Sequence, residues 1–282
     1  MTLATLTDVL QPALRDGYAV AGFVVLGWED ARAYAMAAQD ENLPVILQAG
    51  PSCRAHTHLP VLGAMFRSLA NDVDVPVVAH LDHGNGRDEC MEAIDSGFTS
   101  VMFDGSRLSF EDNIEQTALI SELAHEAGVS CEGEIGFVGY QDGEASSTTD
   151  PAQAAEFARR TGVDAMAISV GNVHLQQSSD AAINEQAIRA IEATCKTPLV
   201  IHGGSGVPAP TRARLATGSN VCKFNIGTEM RMEFGMALRR SLNEDQTLFD
   251  RVAILKQVEP PLRTKARLIM RNLVGDQPVA AG

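Results

Sequence analysis

The chain has 282 residues, of which 45% are hydrophobic and 21% are charged, so it can bury a substantial core and is neither disordered nor fibrous. Its 22 basic residues against 36 acidic ones give a net charge of −14, which argues against a general nucleic-acid or anionic-membrane surface. Any phosphate must therefore be held by a local site.

Short β-rich segments alternate with segments of helical periodicity along the chain. Eight strands are predicted, at residues 19–26, 44–48, 75–81, 99–103, 129–134, 164–170, 198–202 and 220–226. The predicted helices include 29–41, 58–71, 110–126, 151–161, 184–194, 229–242 and 249–273. Strand followed by helix, eight times over, is the pattern of an α/β protein with a (β/α)8 or TIM barrel and an additional C-terminal helix.

Nothing in the composition marks a linker, so residues 1–282 are predicted to form a single barrel domain. Residues 136–149, rich in glycine, serine and threonine after the fifth strand, are predicted to be a mobile active-site loop. Residues 247–274 are predicted to be a C-terminal helical extension beyond the barrel, free to serve an oligomer interface.

The five cysteines are scattered and form no C-x-x-C pair, so neither a disulfide framework nor a zinc ribbon is predicted. Residues 1–8 lack the basic and apolar regions of a signal peptide, and no apolar stretch approaches membrane-spanning length. We therefore expect a cytoplasmic protein that binds neither nucleic acid nor membrane.

Polar residues recur where six of the predicted strands end, and in a barrel these ends converge on the functional face. They are Asp82 and His83 at the third strand, Asp104 and Ser106 at the fourth, Glu132 and Glu134 at the fifth, His174 at the sixth, His202 and Ser205 at the seventh, and Asn225, Thr228 and Glu229 at the eighth. A helix cap or a strand-end hydrogen bond explains any one of them equally well, but explains the whole set less well.

Three histidines, His83, His174 and His202, each follow a different strand. Three imidazoles with an open fourth position suit catalytic zinc. His80 lies within its strand, so it is assigned a supporting role in orienting a ligand. His56, His58 and His125 lie outside the predicted strands and are left out of the metal site.

Small and polar residues after the seventh and eighth strands occupy the place where barrels commonly bind phosphate through backbone N–H groups and a helix N-terminus. They are Gly203, Gly204, Ser205, Asn225, Gly227 and Thr228. A flexible turn explains Gly-Gly-Ser-Gly about equally well when it is taken alone.

At these residues the sequence resembles the class II, zinc-dependent ketose-bisphosphate aldolases of the fructose/tagatose-bisphosphate type. The matching motifs are His80-Leu81-Asp82-His83-Gly84, Ser100-Val101-Met102-Phe103-Asp104-Gly105-Ser106, Glu132-Gly133-Glu134-Ile135-Gly136, Leu199-Val200-Ile201-His202-Gly203-Gly204-Ser205-Gly206 and Lys223-Phe224-Asn225-Ile226-Gly227-Thr228-Glu229. They follow the family's order across nearly the whole chain.

The resemblance implies a carbon–carbon lyase that reversibly cleaves a phosphorylated ketose into dihydroxyacetone phosphate and an aldehyde, with zinc stabilising an enediolate as a Lewis acid. It implies His83, His174, His202 and Glu134 for the metal, Asp82 as acid and base, Gly171, Gly203, Gly204, Ser205, Asn225, Gly227 and Thr228 for substrate and phosphate, and His80, Asp104, Ser106 and Glu132 in support. A monovalent cation near the phosphate site and a homodimer or homotetramer are also implied.

Three departures from the family pattern bear on the substrate. Leu175 stands where the family's Gly-Thr-x-His-Gly ends in glycine, Asp142 stands in for a proton-moving loop glutamate, and residues 22–26 lack Phe-Asn-x-x-Asn. Two alternatives therefore stay open. One is an aldolase of this type acting on a different donor, a modified sugar phosphate or a sugar acid, and the other is a catalytically weak paralogue that binds a sugar phosphate or a partner.

Overall fold

Eight parallel strands close into a barrel in the computed structural model, which describes residues 2–140, 143 and 145–275. The strands are β1 (Leu3–Ala4), which precedes the barrel, and β2 (Val20–Val24), β3 (Val45–Ala49), β4 (Val77–Gly84), β5 (Ser100–Phe103), β6 (Ser130–Ile135), β7 (Ala165–Ile168), β8 (Leu199–Ile201) and β9 (Val221–Ile226), which form it. Strand β9 pairs with β2, and this closes the ring. The predicted TIM barrel is confirmed, and each predicted strand overlaps one of these eight.

The short strand β1 is an addition that the sequence analysis missed. It pairs with Val77 and Val78 of β4, on the edge that β5 leaves open because β5 pairs with β4 only from His80 onward. Two residues are too few to show an alternating pattern, so this strand carried no sequence signal.

Helices cover the outside of the barrel. They are α1 (Leu6–Asp16), α2 (Trp28–Glu41), α3 (Pro51–His56), α4 (Leu59–Asn71), α5 (Arg87–Asp95), α6 (Phe110–Glu126), α7 (Pro151–Thr161), α8 (Glu185–Thr194), α9 (Ala209–Gly218), α10 (Thr228–Glu244), α11 (Arg251–Lys256) and α12 (Glu259–Val274). Their ends follow local chemistry: α7 begins where Asp150 accepts hydrogen bonds from two backbone N–H groups, and it ends at Gly162 with φ 66°. None of the helices in the described ranges is long and apolar enough to cross a membrane.

The single helix predicted for residues 249–273 is wrong in one respect, because the structure divides it into α11 and α12. Pro260 and Pro261 lack a backbone N–H, so they fit the first turn of α12 but could not continue a helix from α11. Helix α12 packs along α2, where Arg267 and Arg271 each place Nε 2.5 Å from a carboxylate oxygen of Glu41.

The described part of residues 136–149 folds back on itself. Phe137 and Ser147 exchange both backbone hydrogen bonds, and the hydroxyl of Thr149 donates to the carbonyl of Ile135 at 2.7 Å. The mobility expected of this segment stays a prediction.

Candidate active site

A cavity of about 260 Å³ opens at the C-terminal ends of the barrel strands. Its wall contains eight of the predicted site residues: Asp82, His83, His174, Gly203, Ser205, Asn225, Gly227 and Thr228. Because these residues come from strands far apart in the chain, the barrel itself assembles the cavity.

Strand β4 does not stop at Leu81 as predicted but continues to Gly84 through a shift in register. His83, within this shift, has a left-handed backbone with φ 53°. Successive residues of a regular strand face opposite sides, but a bulge re-aims one of them. Asp82 and His83 can therefore both face the cavity.

Arg54, which the sequence analysis missed, holds the backbone of the bulge at Asp82 and His83. Its guanidinium donates to the carbonyl of Asp82 at 2.6 Å and to that of His83 at 2.9 Å, and it pairs with Glu89 at 2.7 Å. Arg54 is only 9% exposed, so these contacts are shielded from water. Arg54 makes these contacts with residues distant in sequence, so no local motif predicts them.

The three predicted metal histidines come together. One ring nitrogen from each of His83, His174 and His202 lies within 4.8 Å of the others. The ring centroids of His83 and His202 are 4.6 Å apart, and those of His83 and His174 are 5.1 Å apart. This spacing lets three imidazoles reach one ion.

Glu134 and His202 supply the observation that tests this site for a metal. Oε2 of Glu134 lies 3.2 Å from Nδ1 of His202, yet both atoms are buried and neither has a hydrogen-bond partner among the described residues. Burial lowers the pKa of His202, but Glu132 and Glu134 outweigh burial and raise it to about 10. The surroundings of His202 thus favour positive charge, and the donor set fits a divalent cation.

Asp104 and Ser106 support His83. Oδ2 of Asp104 lies 2.8 Å from Nδ1 of His83, and Ser106 donates to Oδ1 of Asp104 from its hydroxyl at 2.6 Å and its backbone N–H at 3.1 Å. A carboxylate held in this way orients an imidazole. Asp104 also forms a second group of nearby ligand atoms with His83 and Glu134.

Asp82 lies beside the three histidines. Its Oδ1 is 4.0 Å from Nε2 of His83 and accepts a hydrogen bond from Nδ2 of Asn225 at 3.1 Å. Burial raises the pKa of Asp82, but the charges of His83, His202 and Lys223 outweigh it and hold the pKa below its ordinary value. Asp82 is therefore a carboxylate that can accept a proton.

Ser205 joins the two predicted phosphate loops. Its hydroxyl oxygen accepts from the backbone N–H groups of Gly227 at 3.2 Å and Glu229 at 3.1 Å, where α10 begins. Gly203 has φ 63°, and a Cβ there would lie 2.1 Å from the carbonyl of Val173, so no side chain fits. The cavity wall is thus backbone and a helix N-terminus at this point, which suits an anion.

Some predicted residues do not line the cavity. Gly204 is buried in the 3-10 turn, and Gly171 is exposed, where a Cβ would lie 2.4 Å from the carbonyl of Ala182. Glu229 pairs with Arg212 at 3.0 Å and Lys265 at 2.8 Å. Asp142 lies outside the described residues.

Tyr140 and Leu175 flank His174 on the cavity wall. The Tyr140 ring stacks on His174 with centroids 5.1 Å apart, and Leu175 has a left-handed backbone with φ 57° and is 50% exposed. Burial and the charge of His83 lower the pKa of His174 to about 3, so its imidazole is neutral at pH 7. Leu175 keeps a backbone that glycine adopts freely, at a cost of about 1 kcal/mol.

Arg231, one turn into α10, also lines the cavity and was missed, as was Ser52 in the first turn of α3. The Nε of Arg231 is buried and has no hydrogen-bond partner in the described part of the chain. Its position three residues after Thr228 could have drawn attention, because a helix places such residues on one face.

Comparisons with known proteins show the family to which this chain belongs. The family model of class-II fructose-bisphosphate aldolase matches residues 4–276. The fructose-bisphosphate aldolase of Staphylococcus epidermidis is 35% identical over 257 residues, covering 89% of this chain and 90% of the relative. That of Geobacillus stearothermophilus is 36% identical, covering 89% of each.

Solved structures show the same fold. The YdjI aldolase from Escherichia coli K12 superposes with a TM-score of 0.87 at 29% identity, covering 99% of this chain and 100% of that one. The fructose-bisphosphate aldolase of Campylobacter jejuni superposes with a TM-score of 0.81, covering 96% and 95%, but at 22% identity it supports the fold alone. The chain belongs to the class II fructose-bisphosphate aldolase family, whose members are carbon–carbon lyases.

Proposed function

We propose that the protein is a zinc-dependent aldolase that reversibly cleaves a phosphorylated ketose, such as fructose or tagatose bisphosphate, into dihydroxyacetone phosphate and an aldehyde. The observation that carries this proposal is that His83 and His174 line one cavity with Asp82, and that a ring nitrogen of the buried His202 lies within 4.8 Å of theirs. Zinc bound by the histidines, with Glu134 beside it, would supply a Lewis acid for the negative charge that develops at the ketose carbonyl oxygen.

Asp82 is the group that moves the proton in this proposal. Its carboxylate takes the proton of the C4 hydroxyl as the C3–C4 bond breaks, so that C4 becomes the aldehyde and the electron pair stays on the enediolate. Asn225 donates a hydrogen bond to one oxygen of the carboxylate. The other oxygen lies close to Gly50, where an added Cβ would be only 3.3 Å from it. In condensation the same proton returns to the new hydroxyl.

The phosphate would lie at the start of α10, against Gly203, Ser205, Gly227 and Thr228. Backbone N–H groups and the helix dipole favour an anion there. Arg231 lines the same cavity and offers a guanidinium to a second anionic group of the substrate. We propose that Gly171 and Gly204 shape these loops and that a monovalent cation binds near them.

Metal removal and return test the proposal. Purified protein loaded with zinc should release dihydroxyacetone phosphate from fructose or tagatose bisphosphate, should lose this activity on chelation, and should regain it with zinc. Full cleavage of a panel of ketose phosphates after chelation, or normal zinc binding by His83→Ala, would contradict the proposal.

A different donor is the second candidate, and Leu175 is the observation that favours it. Its side chain is half-exposed on the cavity wall where the family pattern has glycine, so it narrows the space beside His174. A modified ketose phosphate or a sugar acid would then be the substrate. High catalytic efficiency with either bisphosphate, compared with such analogues, would remove this candidate.

Assembly and location complete the proposal. A homodimer or homotetramer is supported by Met232 and Met236, two apolar side chains that are half-exposed on α10. A cytoplasmic location is supported by the five cysteines, which are buried and free. Light scattering of the purified protein would measure the assembly directly.

A further inference from the structure

A buried chain of charged and polar side chains crosses the barrel beneath the three histidines. Lys223 on β9 and Glu132 on β6 are each 0% exposed, although two strands separate β9 from β6 around the barrel. Their side chains therefore meet across its interior. Burying an ion pair seldom stabilises a fold more than apolar packing would, so this pair calls for another explanation.

The contacts lead from Lys223 to a proposed metal ligand. Nζ of Lys223 donates to Oε2 of Glu132 at 2.6 Å, and Oε1 of Glu132 lies 3.1 Å from Nε2 of His202. On its other side Nζ lies 3.2 Å from Nε2 of His80, whose Nδ1 lies 2.8 Å from the hydroxyl of Ser100. Burial and the charge of Lys223 lower the pKa of His80 to about 3, so His80 can accept a hydrogen bond from the ammonium.

The contact with Glu132 decides which nitrogen of His202 can bind a metal. Oε1 of Glu132 lies beside Nε2 of the ring, so Nε2 is already engaged and Nδ1 is left for the ion. Nδ1 is also the atom that lies 3.2 Å from Oε2 of Glu134 and has no hydrogen-bond partner among the described residues.

We propose that Lys223 is a positioning residue for the metal site: its hydrogen bond holds the Glu132 carboxylate against Nε2 of His202, and this fixes the orientation of the His202 ring. Lys223 itself touches neither the metal nor the substrate in this scheme. The inference rests on the proposed function, because it takes His202 as a metal ligand.

Two variants test this role by zinc affinity, measured by competition with a chromogenic chelator. Lys223→Met keeps the length of the side chain and removes its charge, and zinc affinity should fall about 10- to 100-fold. Lys223→Met combined with Glu132→Gln removes both charges, and the amide oxygen can still accept from His202. The double variant should therefore bind zinc within a few-fold of the wild type. Ser100→Ala is the control, because it changes the far end of the chain and should alter affinity less than a few-fold.

Thermal unfolding of the metal-free proteins shows whether the variants fold. A folded Lys223→Met variant with wild-type zinc affinity would overturn the inference. A double variant that binds zinc no more tightly than Lys223→Met would also overturn it, since lost packing would then explain the weak binding of both. If Lys223→Met does not fold, Glu132→Gln alone should bind zinc more weakly than the double variant, because the ammonium, left without a carboxylate, competes with His202 for the amide oxygen. The reverse order would overturn the inference. A wild-type protein that binds no zinc would instead contradict the proposed function.

Discussion

Asn225 donates a hydrogen bond from Nδ2 to Oδ1 of Asp82 at 3.1 Å, from β9 to β4 across the mouth of the barrel. The donor fixes one carboxylate oxygen and, because an amide carries no charge, leaves Asp82 able to take a proton. Neither residue alone indicates this interaction in the sequence. The pair connects β4, which carries the bulge at His83, with β9, which leads to the predicted phosphate loop at Gly227 and Thr228.

Asp82→Asn should lower kcat for cleavage about 10²- to 10⁴-fold, because an amide cannot accept the hydroxyl proton. Zinc affinity should stay within a few-fold of wild type, since Asp82 is not one of the grouped metal ligands. Steady-state kinetics on zinc-loaded protein and chelator competition measure the two effects separately. A variant that keeps more than about a tenth of wild-type kcat would remove Asp82 from this role.

The barrel could be predicted because its signals are local. Each strand is a short apolar run, and residues such as Asp150 and Gly162 mark helix ends through their own backbone chemistry. The division between α11 and α12 was missed because the apolar spacing on either side continues with a helical period. Pro260 and Pro261 are nevertheless a sequence signal for it, since they fit only the first turn of a helix. Here proline chemistry overrode periodicity.

The candidate site was predictable in composition but not in geometry. Each metal histidine follows a strand, so its place at one end of the barrel follows from the fold. The bulge at His83 and its support by Arg54 depend on contacts between residues far apart in the chain, which no window of sequence contains. Lys223 lay within a matched motif, but its partner Glu132 is 91 positions away.

His174→Ala should abolish tight zinc binding, because two imidazoles and a carboxylate would remain at a site that depends on three imidazoles. The matched control is His125→Ala, since His125 is 45% exposed on α6 and pairs with Asp164 at 2.9 Å far from the cavity. Metal content after dialysis measures both. Equal zinc content in the two variants would show that His174 is not a ligand.

Leu175→Gly should improve the use of fructose or tagatose bisphosphate, lowering KM about tenfold, if the leucine side chain restricts the donor. Because Leu175 has φ 57°, glycine should also preserve or raise stability by up to about 1 kcal/mol. Asn42→Gly, at the positive-φ end of α2, is the control for backbone strain and should leave KM unchanged. A KM that does not respond to Leu175→Gly would show that this residue does not select the donor.

Ser205→Ala should raise KM for the phosphorylated substrate and reduce stability by about 1 kcal/mol, because two N–H groups at the start of α10 lose their acceptor. Ser109→Ala removes the comparable cap of α6, where the serine hydroxyl accepts from the N–H of Asp112. It should cost similar stability at unchanged KM. If both variants gave the same KM, Ser205 would be a helix cap and nothing more.

The contact between α12 and α2 should weaken in acid. A hydrogen bond from Arg263 lowers the pKa of Asp40. Burial raises the pKa of Glu41, but the hydrogen bonds and charges of Arg271 and Arg267 outweigh burial and lower it. A lowered folded-state pKa stabilises the fold above the ordinary carboxyl range, and this contribution is lost as pH falls through the folded pKa.

Replacing the three arginines with glutamine should therefore reduce the free energy of unfolding at pH 7 only modestly, since the arginine side chains are 38–56% exposed and water screens the pairs. At an acidic pH below the lowered pKa values of Asp40 and Glu41, the difference from wild type should shrink, because both carboxylates are then protonated in either protein. Urea unfolding at the two pH values measures this. A difference that is the same at both would mean that the arginines act through the packing of their alkyl chains and not through charge.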